Sequence, residues 1–165
     1  MTGRRVPVVI APVEAVQLAH LLADFRELVH DGGDNGDPAV DRLAPRAYPD
    51  DDDASAQFRS ATRGDLLSRR AADAAVVEAT ITPLRDAAEG MSDEEVFTER
   101  LIEIDEADVD AWLRTLTALR LVVATRLGIV DDGDERDDDP RARVYDWLGY
   151  RLETMVQAAD DLDLD

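Results

Sequence analysis

The chain contains no cysteine and no lysine, and it holds only two histidines among its 165 residues. Without cysteine there can be no disulfide, no thiolate metal site and no thiol redox switch. No apolar run reaches the roughly 18–20 residues that a membrane-spanning helix needs. The apolar N-terminal stretch is interrupted by Pro7 and Pro12 and continues into an amphipathic pattern, which argues against a secretory signal peptide. We therefore expect a cytoplasmic protein without a membrane segment.

Acidic residues greatly outnumber basic ones. The chain has 38 Asp and Glu residues against 18 basic residues, all of them arginine, and a formal net charge of −20. Such a charge raises solubility and repels nucleic-acid phosphates, so it weakens direct DNA binding without excluding it. DNA contact would require a local arginine patch that overcomes the global field. The candidate patch is Arg59, Arg63, Arg69 and Arg70.

Hydrophobic periodicity predicts a mainly α-helical bundle of about five to seven helices. The length suits one domain with a modest core. We assign residues 1–159 to this single helical domain, with acidic loops near 31–53 and 131–140 and a frayed acidic tail at 160–165. Short strands are predicted over 6–10 and 100–104. The predicted helices cover 12–30, a turn within 38–45, and then about 53–62, 66–81, 106–127 and 141–159.

The two strands open similar units. A shift of 94 residues overlays Ile10 on Ile104 and Leu18 on Trp112, and each strand leads into an amphipathic helix. Two amphipathic helices always align in some register, so chance similarity competes with a true internal repeat. If the repeat is real, the strands can pair into one small two-stranded β-ribbon backed by helices, since a lone ribbon is marginally stable. Pro7 lacks an N–H and therefore favours an edge position.

Several residues mark helix ends. The RGD sequence at 63–65 predicts a break, with Asp65 capping the helix that follows. Pro83 is expected to limit that helix or to start another short one. A capping box is predicted from Ser92 to Glu95. Asp105 is expected to cap the long helix that starts at 106. Gly128 fits the left-handed position after its end.

Two segments carry a family resemblance. They are "LRLVVATRLGI" at 119–129 and "YDWLGYRLETMVQA" at 145–158, separated by an acidic insert. Together they resemble the actinobacterial family known as domain of unknown function 2017. The resemblance extends from Val6 to about Ala159, although the N-terminal third matches in layout more than in residues.

The resemblance implies a cytoplasmic, mainly helical, non-enzymatic protein without a cofactor. Family genes commonly lie beside the gene for a protease adaptor that delivers substrates bearing N-degrons. Some members are described as oxidative-stress regulators that act through a pair of cysteines. This chain has no cysteine, so the redox switch cannot be transferred to it, and no sensing residue has a matching position.

The sequence offers no clear catalytic or metal-binding constellation. His20 and His30 share one predicted helix but lie on different sides of it, and they lack the spacing of zinc ligands. The loop at 31–37 resembles the start of a calcium loop, yet Arg42 stands where a bidentate glutamate is needed. We therefore expect neither an enzyme nor a metal protein.

Two arginines flank the buried stripe of the long helix near residues 106–127. On a helical wheel, Arg126 falls roughly 65° to one side of the stripe and Arg120 roughly 55° to the other. A charge buried there is costly unless it is paired. The structural interpretation is an ion pair with an acid on a neighbouring helix. The alternative is an exposed arginine that binds an anion or a partner. The candidate acids are Glu27, Asp146 and Glu153.

The last helix concentrates side chains that are typical of interfaces. Trp147 projects away from the apolar centre and Tyr150 lies further out, so Trp147 either packs at the core edge or joins an aromatic interface. Gly149 indicates a close helix–helix approach, within the fold or across a dimer. The interface candidates are Tyr145, Trp147, Tyr150 and Arg151.

These observations favour a non-catalytic regulatory or adaptor protein that works through its helical surface. We expect a protein partner and a homodimer, with the aromatic and arginine side chains of the last two helices providing contacts. The alternative is a transcription regulator of the stress response, which would contact DNA directly or bind the transcription machinery.

Overall fold

The two predicted strands pair with each other in a computed structural model that describes residues 3–31, 36–45, 53–129 and 139–163, without the side chains of 53–56, 58 and 59. Strand β1 (Arg5–Ile10) and strand β2 (Arg100–Asp105) form an antiparallel ribbon. Its register runs from Arg5 opposite Asp105 to Ile10 opposite Arg100. The predicted ribbon is thus confirmed, whereas the idea of an internal repeat stays a prediction.

The ladder explains why β1 tolerates a proline. The backbone N–H of Glu106 donates to the carbonyl of Arg4 at 2.9 Å. Hydrogen-bonded and non-hydrogen-bonded pairs alternate along an antiparallel ribbon. The even-numbered residues of β1 therefore face the ladder, and Arg5, Pro7 and Val9 direct their backbone groups away from β2. Pro7 removes an N–H that the ladder does not use.

The rest of the described chain is mainly helical, as predicted, with six α-helices. The two longest are α3 and α6, and a short 3₁₀ turn at Glu106–Asp108 leads into α5. The helices are α1 (Pro12–Asp31), α2 (Pro38–Leu43), α3 (Asp53–Ala88), α4 (Asp93–Phe97), α5 (Val109–Leu127) and α6 (Pro140–Asp163).

One core joins these elements. The main helical contacts are those of α1 with α3, of α5 with α6, and of α3 and α2 with α5, while α6 also reaches β1. One face of β1 is buried because Val6, Val8 and Ile10 alternate with exposed residues. The predicted apolar stripes of the first and the long helix lie in this core, including Leu18, Leu22, Phe25, Trp112, Leu116 and Leu119.

Helix α3 corrects the prediction of two helices separated by a break. It continues through residues 63–65, so Asp65 lies inside the helix and caps nothing, and Pro83 also lies within it. Glycine costs only about 1 kcal/mol in a helix interior. The buried stripe of Leu67, Ala74, Val77, Ile81 and Leu84 keeps one helical period past Pro83. Beside Gly64, Arg63 is held by contacts with Ala44 and Asp41, so tertiary packing outweighs the local signals.

The ends of the other helices show which local signals hold. Ser92 and Glu95 form the predicted capping box, and Gly128 adopts the left-handed conformation with φ of 71°. Asp105 makes no side-chain capping hydrogen bond, because the 3₁₀ turn intervenes before α5. Helix α6 continues to Asp163, so residues 160–163 are helical where we predicted a frayed tail. Most of the predicted acidic loops lie outside the described residues.

Candidate functional site

The most enclosed charged group of the described chain links its first strand and first helix to α6. Arg151 is buried, and its Nε atom donates to Glu14 Oε1 at 2.9 Å. Its Nη1 atom donates to the carbonyl of Val9 at 2.6 Å. Trp147, one helical turn earlier on α6, donates its Nε1–H to Glu14 Oε1 at 2.6 Å. The backbone N–H of Ala11 donates to Glu14 Oε2 at 2.8 Å.

This geometry keeps Glu14 ionised. Partial burial by itself raises the pKa of the Glu14 carboxyl, but the hydrogen bonds from Arg151, Ala11 and Trp147 together outweigh it and hold the pKa below its ordinary value. A carboxylate whose oxygens already accept from these donors is a poor general base. The network therefore joins β1, α1 and α6 rather than presenting a reactive group.

Two of the predicted interface residues belong to the interior. Arg151 is committed to Glu14 and Val9, and Tyr145 is buried. The fold therefore does not present them to a partner as we expected. Sequence analysis missed Glu14, although its position in the first turn of α1, three residues after Ala11, is the spacing at which a glutamate returns to a helix-start N–H.

Arg126 forms the ion pair that we expected, but with another acid. Its Nη1 and Nη2 atoms donate to Asp37 Oδ1 at 2.9 Å and to Oδ2 at 2.7 Å. Asp37 also caps α2 by accepting from the N–H of Ala39. The guanidinium of Arg126 is the main reason why the pKa of Asp37 lies below its usual value.

The candidate acids lie elsewhere. Glu27, Asp146 and Glu153 are exposed, and Arg126 pairs with none of them in the described residues. Asp37 escaped notice because it precedes a six-residue helix, and a helical wheel cannot place a loop-end side chain against α5.

Arg120 of α5 packs against an aromatic ring of α6, that of Tyr145. Its guanidinium carbon lies 4.1 Å from the centroid of the Tyr145 ring, a cation–π geometry. A Cβ atom at Gly149 would lie 3.2 Å from Arg120 Nε. The close approach that we inferred from Gly149 therefore occurs within the fold, where the glycine gives the arginine room.

The candidate DNA-binding patch loses two of its four arginines to contacts within the fold. Arg63 donates to the carbonyl of Ala44 at 2.6 Å and to Asp41 Oδ1 at 2.9 Å, and it is nearly buried. Arg70 donates through Nε and Nη2 to the carbonyl of Leu43. Both arginines thus bind the C-terminal end of α2. Arg69 is exposed, and the side chain of Arg59 lies outside the described part.

Exposed apolar side chains gather in the segment around β2. Phe97, the last residue of α4, is 69% exposed, and Leu101, the second residue of β2, is 64% exposed. Val9 lies directly across the ribbon from Leu101 and is 43% exposed. This is a non-hydrogen-bonded pair, in which side chains approach closely. On α6, Tyr150 and Val156 are also exposed.

The same segment is strongly acidic. Residues 93–108 carry eight carboxylates and one arginine, Arg100. Arg5 on β1 partly offsets two of them, with its Nη1 atom 3.0 Å from Glu103 Oε2 and its Nε atom 3.5 Å from Asp105 Oδ1. We call the exposed side of the ribbon, with Val9 and Leu101 among these charges, the ribbon face.

Other site classes find no support in the described residues. No group of three or more histidines and carboxylates there is arranged to hold a metal ion. His20 and His30 are both exposed on α1. No described helix has the length and apolarity needed to cross a bilayer. The loop at 31–37, which only resembles the start of a calcium loop, and the second acidic loop fall largely outside these residues.

The fold places this chain in the class of small, mainly helical proteins with a two-stranded ribbon. Among its described residues, the arginines chiefly join helices to one another. The chain belongs to the family described as Domain of unknown function (DUF2017), whose model matches residues 1–159. This confirms the resemblance of the segments at 119–129 and 145–158. No curated protein and no solved structure matches the chain.

Proposed function

We propose that this protein is a cytoplasmic, non-catalytic regulator or adaptor that binds another protein through its ribbon face. The observation that carries the proposal is the exposure of Leu101 on the ribbon face and of Phe97, which precedes β2 by three residues in the chain. They are the two most exposed large apolar side chains in the described residues. Single exposed apolar residues are common, but here Leu101 adjoins exposed Val9 across the strands. A contiguous apolar surface with a polar rim is typical of protein–protein contact.

The surface of α6 is the second candidate, and it would serve the homodimer that we expected. Tyr150 and Val156 are exposed there, whereas Tyr145 and Trp147 face the chain's own interior. The net charge of −20 also opposes self-association through like-charge repulsion. We therefore favour a different protein as the partner at the ribbon face.

The test is quantitative affinity purification from the native cells with matched surface variants. The ribbon variant carries Phe97→Ser and Leu101→Ser, and the control carries Tyr150→Ser and Val156→Ser. A partner that is retained by the wild type and the control but lost by the ribbon variant supports the proposal. Loss only in the control would move the site to α6, and equal recovery with all three proteins would refute a role for the ribbon face.

The transcription role remains the alternative. Direct DNA contact lacks the arginine patch that we postulated, because Arg63 and Arg70 bind α2. Binding to the transcription machinery would use the same ribbon face, and the identity of the captured protein separates it from other adaptor roles.

A further inference from the structure

The outer edge of β2 differs from the outer edge of β1. By the alternation of the ladder, Leu101 and Glu103 direct their backbone N–H and C=O groups away from β1. No hydrogen bond within the described part of the chain uses these groups, and β1 is the one described element that packs extensively on β2. Such an edge is a template for another strand.

The outer edge of β1 is partly blocked by the chain itself. Pro7 offers no N–H, and the carbonyl of Val9 accepts from Arg151 of α6. Within the described residues, the outer edge of β2 is therefore the side of the ribbon that is more open to a third strand. Natural proteins commonly protect strand edges with proline or by covering them, as on β1. In the described part of the chain, neither feature is seen at Leu101 and Glu103 of β2.

Charge selects the kind of strand that fits. The side chains of Glu103 and Asp105 are exposed on the ribbon face, and the 93–108 segment carries a large excess of carboxylates. A second copy of β2 would bring its own carboxylates against these, which is unfavourable for directly opposed like charges. A strand with alternating basic residues would gain cross-strand ion pairs with the same two acids.

We propose that β2 receives an extended, basic segment of the partner protein as a third strand of the ribbon. The proposal rests on the function proposed above and names the chemistry of the partner. Backbone hydrogen bonds to Leu101 and Glu103 give affinity, as in other β-augmentation complexes. Alternate arginines or lysines lie over Glu103 and Asp105, and their aliphatic stems cover Leu101.

The test uses the full chain and short synthetic peptides, with binding measured by fluorescence anisotropy at physiological ionic strength. The probe alternates arginine and valine. One control alternates glutamate and valine. The other is the arginine peptide N-methylated at two adjacent central residues, which removes an N–H from each edge of the strand. We expect saturable binding of the probe, at least about tenfold weaker binding of the N-methylated peptide, and none of the glutamate peptide.

A matched pair of protein variants tests the strand edge. Glu103→Ala and Glu103→Pro both remove the carboxylate and its ion pair with Arg5, but only the second removes the outward N–H. Glu103 lies opposite Pro7, at the kind of position where the ribbon already holds a proline. We expect Glu103→Pro to bind the probe at least about tenfold more weakly than Glu103→Ala. Hydrogen exchange of wild-type protein gives a second readout, in which the probe should protect the amides of Leu101 and Glu103.

Equal binding of the N-methylated and unmodified peptides, or unprotected amides at saturation, would overturn strand addition and leave only charge attraction. Absence of any binding would overturn the proposal as well. These failures differ from failure of the proposed function. In that case affinity purification would find no partner that depends on Phe97 and Leu101, whatever the peptides do.

Discussion

Replacing Arg151 with methionine should be among the most damaging single changes at a charged residue. The Arg151 and Glu14 side chains are only 9% and 19% exposed. The variant leaves the Glu14 carboxylate without its cation and the carbonyl of Val9 without its donor. Breaking a buried ion pair costs about 3–5 kcal/mol. Glu14 keeps the N–H groups of Ala11 and Trp147, so we expect the lower end, about 3 kcal/mol.

The assay is urea unfolding followed by circular dichroism, with thermal unfolding as a second readout. A loss of about 3 kcal/mol corresponds to a fall in Tm of roughly 6–12 °C for a domain of this size. Arg143→Met is the matched control, because Arg143 is exposed on the same helix, and it should change stability by less than about 0.5 kcal/mol.

A double variant separates the ion pair from simple loss of packing. Glu14→Leu combined with Arg151→Met leaves no buried charge. It should therefore be less destabilised than the sum of the two single variants by at least about 2 kcal/mol. Additive effects, or a cost below about 1 kcal/mol for Arg151→Met, would refute the conclusion that this pair joins α6 to β1 and α1.

Further predictions follow from the other contacts. Because the pKa of Glu14 is lowered in the folded protein, its charge stabilises the fold above the unfolded pKa of about 4.3. That contribution is lost as pH falls through the folded pKa, so the stability gap between the wild type and Glu14→Gln should narrow in acid unfolding scans. A stability difference between these two proteins that widens at acid pH would contradict a lowered pKa of Glu14 in the folded protein. Arg126→Met should cost only about 0.5–1 kcal/mol, since its pair with Asp37 is partly exposed, and the cost should shrink in high salt. Gly149→Ala should gain about 1 kcal/mol of helix propensity only when Arg120 is also truncated to Ala, because the new Cβ meets Arg120 in the wild type. An equal gain in stability with and without the Arg120 side chain would show that the contact between the new Cβ and Arg120 does not affect stability.

Periodic burial was the part of the fold that the sequence could predict. A short β-branched run predicted the strand at 6–10, and alternation predicted the strand at 100–104 with Ile104 on its apolar side. The apolar stripes of α1 and α5 lie in the core as predicted. Local helix-breaking signals failed at Gly64 and Pro83. The buried stripe from Leu67 to Leu84 continues past Pro83, and Arg63 beside Gly64 is held by contacts with Ala44 and Asp41.

The charged contacts were harder to predict, because they join residues far apart in the chain. The need of Arg126 for a partner followed from burial cost, but the choice of Asp37 depends on where α2 packs on α5. Arg151 looked like an interface residue because arginine and aromatics enrich at hot spots. Only the approach of α6 to β1 shows that its partner is Glu14.

The hydrogen bond from Arg151 to Val9 spans 142 residues of sequence, and this separation sets the order in which the chain can complete its fold. At about 5–20 residues per second of synthesis, Val9 is added to the chain roughly 7–30 s before Arg151. During that interval the apolar face of β1, with Val6 and Ile10, lacks α6, and for roughly its first two-thirds β2 has not been made either. The contact that blocks the outer edge of β1 at Val9 therefore forms only after α6 has been synthesised.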